Sequence, residues 1–593
     1  MKRTGLGIGA GLVAGLLAGT ALAADVTHER LLNADKETGN WITVHRTLDG
    51  HRYSPLNQIT KDNVKNLRPQ TTYMLSSVTG GGRYEFGQLE GTPLAEDGFL
   101  YLTDGWGAVY KVDVRDPTKM KPVWKFDPAI DRAWAGDVAC CGINNRGMGM
   151  WGKYIIHNAL DGRMFAVDKE TGAPAWEVTL ADPAVAETIT VAPLVTKNQA
   201  VTGIAGAEYG IRGFITAVDL TTGKQKWKFY TIPAKGEPGN ETWTDNYNAW
   251  DRGGGSIWST GTYDPKTDMQ YWGTGNPAPQ FDAEFRPGDN LYTDSVVALD
   301  NDTGKLKWYF QYTPNDPYDY DEIGHHPLVD VTIGGQTRTL VTHAARNGFM
   351  YGIDRTNGAF VYGEGYVSLI TWTKGLDPKT GRPMSYDPRQ QVQPYEPGTP
   401  GRRGGPAAVY CPALTGGVNW QPTAYNEKNF HLYTPQAEGC SSAVTVAQAD
   451  FIDKGGTVKR RDRWVGKTDA PAGTQMPIMV TKGSIAMSDM RTGKVSKKLN
   501  LDYRMNGVLA TTTGLVFGGN AAGELVAYDA DTLDPLWMFN MGASIKAPPM
   551  TFLSGGKQYV AVYAGGKPTP AEINIRPELK HYYQSSMLYV FGL

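Results

Sequence analysis

Cys140 and Cys141 stand side by side in the run Gly-Asp-Val-Ala-Cys-Cys-Gly-Ile-Asn-Asn-Arg-Gly at 136–147. Consecutive Cα atoms lie about 3.8 Å apart, whereas a disulfide prefers roughly 4.4–6.8 Å. A bridge between them closes a small strained ring and staples no distant segments, so loop-closure entropy gives it almost no structural purpose. Strain of this kind is kept where it serves a site; the alternative is two unpaired buried thiols. Cys411 and Cys440 complete the set. Four cysteines allow three pairings, of which 140–141 with 411–440 is the simplest. No Cys-x-x-Cys-His occurs, so no covalently attached c-type haem is expected. Gly147-Met-Gly149-Met-Trp-Gly152 matches a nicotinamide fingerprint in form. That fingerprint needs a helix after it, and 153–159 reads as a strand.

The elements that must position this chemistry follow from a repeat. A short apolar strand ends in Asp, a Gly-containing turn follows, and a second strand carries Trp. It reads Phe165-Ala-Val-Asp168 with Gly172 and Trp176, Thr216-Ala-Val-Asp219 with Gly223 and Trp227, Val297-Ala-Leu-Asp300 with Gly304 and Trp308, and Val526-Ala-Tyr-Asp529 with Trp537. Degenerate copies stand at Tyr110–Trp124, Tyr351–Tyr362 and Ile485–Lys497. Each unit predicts a β-hairpin, and a repeat of such hairpins predicts a propeller. The expected fold is all-β, an eight-bladed β-propeller with Trp-docking repeats, forming one domain over 24–593. A strand near Trp41 and the run Met587–Phe591 are expected to close the ring. Residues 375–408 read as a long excursion from it.

Lys2 and Arg3 precede an apolar stretch ending in Ala21-Leu22-Ala23, the pattern of a signal peptide over 1–23. The run is too short and glycine-rich for a retained membrane anchor. The mature protein is therefore expected to be soluble and exported, in a bacterial periplasm where disulfides persist. A net charge of −2, with no basic block, gives no footprint for nucleic acid.

The repeat, the cysteine pair and several loops together resemble the periplasmic quinoprotein alcohol dehydrogenases, across essentially the whole mature chain. The motifs that carry the resemblance are Ala-Cys140-Cys141-Gly-Ile-Asn-Asn-Arg146-Gly, Gly206-Ala-Glu208-Tyr-Gly-Ile-Arg-Gly, Gly273-Thr-Gly-Asn276-Pro-Ala-Pro, Asn315-Asp-Pro-Tyr-Asp319-Tyr-Asp321 and Gly417-Val-Asn419-Trp-Gln-Pro. The family uses pyrroloquinoline quinone (PQQ) and a metal ion on an eight-bladed propeller. The resemblance implies a vicinal Cys140–Cys141 disulfide on one face of the quinone and Trp258 on the other. It implies Arg146 and Arg346 at the rim, with Glu90, Thr190, Gly206, Ala207, Asn419 and Trp420. Ala205 departs from the pattern, since many relatives place a Ser there that hydrogen-bonds a cofactor carboxylate.

Glu208, Asn276 and Asp319 match the family's metal ligands, an oxygen set that suits a hard cation. Asp321 is the added detail. Residues i and i+2 of an extended loop point the same way, so a third carboxylate reaches the ion, as in lanthanide-dependent relatives. The resemblance also implies Asp319 as general base, Arg346 as a polarising cation, an alcohol substrate and a soluble cytochrome c as electron acceptor. The sequence leaves the oligomeric state open, a homodimer being one candidate. Two other readings stand beside it: a calcium-dependent PQQ dehydrogenase of sugars, polyols or bulky alcohols, and a non-catalytic periplasmic propeller scaffold. His325 and His326 read as structural rather than substrate-contacting.

Overall fold

A computed structural model describes residues 25–593 except 77–85, 140, 396–402, 404–407, 444, 446–461, 463, 465–481, 569–571, 574–575 and 583. The described strands form eight radial sheets and two small two-stranded ones. Seven follow one another along the chain at 94–126, 148–179, 194–230, 262–311, 328–365, 424–501 and 505–540. The eighth joins Met550–Ser554, Lys557–Gly565 and Ser586–Gly592 to Arg68–Met74 from the other end of the chain. The eight-bladed propeller is therefore as expected, but the closing strand is not. Trp41 makes only an isolated bridge with Ala95. Arg68–Met74 has only exposed and half-buried positions, as an outermost edge does, and it lacks the Asp–Trp signature of the repeat.

Inner strands such as Phe214–Asp219 are buried on both faces because blades flank them on both sides, whereas the outer strand Gln225–Tyr230 is mostly exposed. The repeat residues join one blade to the next. Trp124, Trp227 and Trp308 donate their indole N–H to the carbonyls of Lys169, Asn301 and Arg355, at 2.9, 3.2 and 3.2 Å. Each acceptor directly follows the Asp of the next blade. The ring also lies against that blade's turn glycine: Gly172 on Trp124, Gly223 on Trp176, Gly304 on Trp227 and Gly358 on Trp308. These glycines sit at φ between +68° and +77°, and a Cβ would collide with the indole at Gly172, Gly304 and Gly358 and crowd it at Gly223, so the backbone requires glycine at all four. The Asp closes the same turn by accepting backbone N–H groups, as Asp168 does from Glu170 and Thr171. At the seventh interface Trp537 packs edge-on against Phe591 instead. Trp227→Ala is expected to lower stability by about 3–5 kcal/mol, read as a fall in the denaturation midpoint.

The glycine fingerprint at 147–152 contains strand Met148–Trp151 and is followed by strand Tyr154–Asn158, with no helix after it, as expected. The 375–408 excursion comes back to the ring: the Tyr395 hydroxyl donates to the Pro314 carbonyl at 2.6 Å and that of Tyr386 to Asp289 at 2.8 Å. Among the described residues no helix is long and apolar enough to cross a membrane.

Candidate active site

The loops between the second and third strands of the second, third and fifth blades emerge at one end of the ring. With the connections preceding several blades, they enclose a cavity of about 350 Å³. Its lining brings together Glu90, Cys141, Arg146, Thr190, Gly206, Glu208, Trp258, Asp319, Asp321, Arg346, Asn419 and Trp420. Ala207 and Asn276 are buried outside that lining. Cys140 lies outside the described residues. Cys141 takes part in a disulfide, and Cys411 is bridged to Cys440.

Two guanidinium groups flank Trp258, with Arg146 at 4.7 Å and Arg346 at 5.6 Å from its ring centroid. Arg146 pairs with Glu90 at 2.8 Å and donates to the Thr190 hydroxyl at 2.8 Å, while its backbone N–H donates to the Thr190 carbonyl. Arg346 donates to the Asp319 carbonyl at 2.8 Å and pairs with Asp321 at 3.0 Å. Its backbone N–H donates to Glu322 at 2.9 Å. Gly416 must be glycine here, since at φ +72° a Cβ would collide with the Arg346 side chain. In both arginines the Nε is buried without a partner, a donor left for a ligand's rim oxygens.

Asp319 sits at φ +70°, a conformation seldom adopted outside glycine and kept at functional positions. Its Oδ1 accepts from Gln280 Nε2 at 2.8 Å. Asp321 Oδ1 accepts the Asn276 backbone N–H at 2.8 Å, and Gly275 must lack a Cβ to allow this approach. The Asn276 amide donates to the Pro277 carbonyl, which leaves Oδ1 buried and unpartnered.

Burial and the neighbouring Asp321 push Asp319 well above the usual carboxylate range, with Arg346 opposing. Arg346 draws the Asp319 pKa down, but burial outweighs it. Burial likewise raises Asp316 to about 7, against backbone N–H donors from Tyr318 and Tyr320. Asp294 and Glu322 are also raised well above the usual range, by burial first. Carboxyl groups thus outnumber guanidinium groups in a buried region, an imbalance that a bound cation would offset. Together with the orphaned Asn276 oxygen, this fits a hard metal ion. Among the described residues no three His, Cys, Asp or Glu side chains converge enough to hold an ion by themselves, so the set would need Asn276 and cofactor atoms as well.

His325 and His326 lie off the cavity lining. His325 bonds Thr423 and packs against His45, while His326 stacks on His343 at 3.8 Å. Burial lowers all four histidines, His45 and His343 to about 3. Sequence reading missed Gln280, Arg504 and Thr188. Arg504 and Thr188 line the cavity, and Thr188 is bridged to Ala205, which puts a hydroxyl-bearing residue beside the departure noted at that position.

The family model for the glucose/ethanol/alcohol dehydrogenase β-propeller domain (PQQ) matches residues 41–364. The chain is 35% identical to the quinohemoprotein alcohol dehydrogenase ADH-IIG of Pseudomonas putida, over 92% of this chain and 76% of that protein. The solved structure of that protein superimposes with a TM-score of 0.85 at 32% identity, covering 97% of this chain and 83% of the other. The quinoprotein alcohol dehydrogenase PedH of Pseudomonas putida is 34% identical over 97% of this chain and 94% of its own length. A europium-containing methanol dehydrogenase superimposes with a TM-score of 0.83 at 29% identity, covering 95% of this chain and all of that one.

Proposed function

The chain belongs to the PQQ-dependent alcohol dehydrogenases, and from that premise we propose that it oxidises alcohols to aldehydes or ketones in the periplasm, with a lanthanide ion beside PQQ and a soluble cytochrome c as electron acceptor. The observation that carries the reading is the single cavity in which Trp258, both arginines, Glu208, Asp319 and Asp321 meet. PQQ and its metal, when bound, supply the electrophilic acceptor for the hydride that leaves the alcohol carbon.

The chain's own residues do the rest. Asp319 takes the hydroxyl proton. Arg346 holds the Asp319 carbonyl and offers its free Nε to a developing negative oxygen. Trp258 covers one face of the cofactor, and Cys141, with Cys140, covers the other. Arg146, Glu90, Thr190, Gly206, Ala207, Asn419 and Trp420 surround its rim. Glu208, Asn276, Asp319 and Asp321 are the proposed ligands of the ion.

The proposal is tested by dye-linked alcohol oxidation with PQQ-free protein reconstituted with PQQ plus La³⁺ or Ca²⁺. Activity that depends on La³⁺ is expected. One observation favours calcium instead: Asp321 already accepts from Asn276 and pairs with Arg346, a role that needs no metal. Activity with Ca²⁺ alone would establish that second reading. Absence of turnover with either ion would remove this cavity from the reaction.

A further inference from the structure

The carboxylate of Asp319 is held by a residue outside the cavity lining. Gln280, 5% exposed in the long connection of the fourth blade, donates its amide Nε2–H to Asp319 Oδ1 at 2.8 Å. Arg346 reaches only the backbone carbonyl of Asp319. The two segments are in turn tied together by Arg286, a fully buried guanidinium. It donates to the carbonyls of Pro279 and Gln280, at 2.9 and 2.8 Å, to Asn290 Oδ1 at 2.8 Å, and to the carbonyl of Asp316. The Asp316 carboxylate then takes the backbone N–H groups of Tyr318 and Tyr320, which flank Asp319, both at 2.8 Å. A buried polar brace therefore fixes donor and acceptor on facing loops.

We propose that Gln280 is a positioning residue for proton abstraction: its amide engages one oxygen of Asp319 and thereby turns the other toward the substrate hydroxyl. This rests on Asp319 as the proton acceptor. Asp319 needs such a support for two reasons. Its backbone is at φ +70°, and Asp321 and Glu208 face it with like charge. A carboxylate free to rotate among these neighbours loses its reactive alignment, and a displacement of about 1 Å costs on the order of a hundredfold in rate. A packing role alone would be served by any side chain of similar size.

The experiment compares Gln280→Leu, Gln280→Glu and Asp319→Asn in enzyme reconstituted with PQQ and metal, alongside Tb³⁺ luminescence titration of PQQ-free protein. Gln280→Leu is expected to lower kcat by about ten- to a hundredfold, with KM for the alcohol changed less than about twofold. Gln280→Glu, the closer match in shape, is expected to be slower still because it opposes Asp319 with a second carboxylate. It is also expected to bind Tb³⁺ at least as tightly as the parent, since it adds negative charge. Parental kcat in Gln280→Leu would overturn the proposal, as would a faster Gln280→Glu or the joint loss of turnover and Tb³⁺ binding in Gln280→Glu. Gln280→Met, which keeps the unbranched chain and lacks the donor, repeats the test should Gln280→Leu misfold. Asp319→Asn that keeps turnover would overturn the proton-acceptor reading itself, whatever Gln280 does.

Discussion

Turnover by Asp319→Asn is expected to fall by about a thousandfold at saturating alcohol, within the range that loss of a general base produces. The substitution is nearly isosteric. The new amide oxygen still accepts from Gln280, and Arg346 still holds the backbone carbonyl, so the loop keeps its shape. What disappears is an oxygen able to take a proton, together with one negative charge toward the ion. Tb³⁺ titration of the variant is therefore read beside turnover, and unchanged binding assigns the loss to proton transfer. Steady-state dye reduction measures the loss, and a thermal melt that matches the parent excludes misfolding. A fall of less than about tenfold would move the proton to another acid on the same wall, Glu208 or Asp321.

The second large effect concerns Asp321. Asp321→Ala is expected to abolish La³⁺-dependent activity and to weaken Tb³⁺ binding by about ten- to a hundredfold, the scale of a lost group at a metal site. The alanine also removes the partner of Arg346 and the acceptor of the Asn276 N–H. Asp321→Asn separates these roles, because it keeps an acceptor at the position and discards the charge. La³⁺ activity retained in Asp321→Asn would make the residue a support for Arg346 and no selector of the ion.

The same cluster fixes the sign of a pH dependence. Burial lifts Asp319, and raises Asp316 to about 7, so the metal-free protein holds protons here that free carboxyl groups would have released. An entering cation expels them. Lanthanide affinity is therefore expected to rise with pH across roughly 6 to 8, with proton release detectable by calorimetry in buffers of different ionisation enthalpy. A pH-independent affinity would contradict it.

The spacing from Asp to Trp was legible because three requirements coincide in it: a capped turn, a glycine with positive φ and an indole that needs both space and an acceptor. Trp227 shows how few residues serve that end: it lies on Gly304 and donates to the Asn301 carbonyl, in a turn that Asp300 caps. The cavity was legible through motifs, since Gly275 and Gly416 must be glycine to let Asp321 and Arg346 approach. Gln280 and Arg504 were not legible. A single long polar side chain carries no periodic signal, and its meaning comes from a loop far away in sequence, as Asp319 is from Gln280. The closing strand Arg68–Met74 was missed for a related reason. An outer edge meets solvent on one side, so proline and polar residues are tolerated there.

That closing strand governs the order of folding. Gln70 and Gly592, 522 residues apart, are neighbours in the eighth sheet. The entropic cost of so long a loop grows only with the logarithm of its length, so the finished ring loses little by it, but the pairing has to wait. Until Ser586–Gly592 arrives, Arg68–Met74 has no partner, and the growing arc of blades ends in an unpaired edge. Such an edge invites pairing with a second chain. Self-association is thus a hazard of the nascent molecule that lessens when the circle closes, and refolding yield should fall with protein concentration although in the native protein Ser586–Gly592 already pairs one side of that strand.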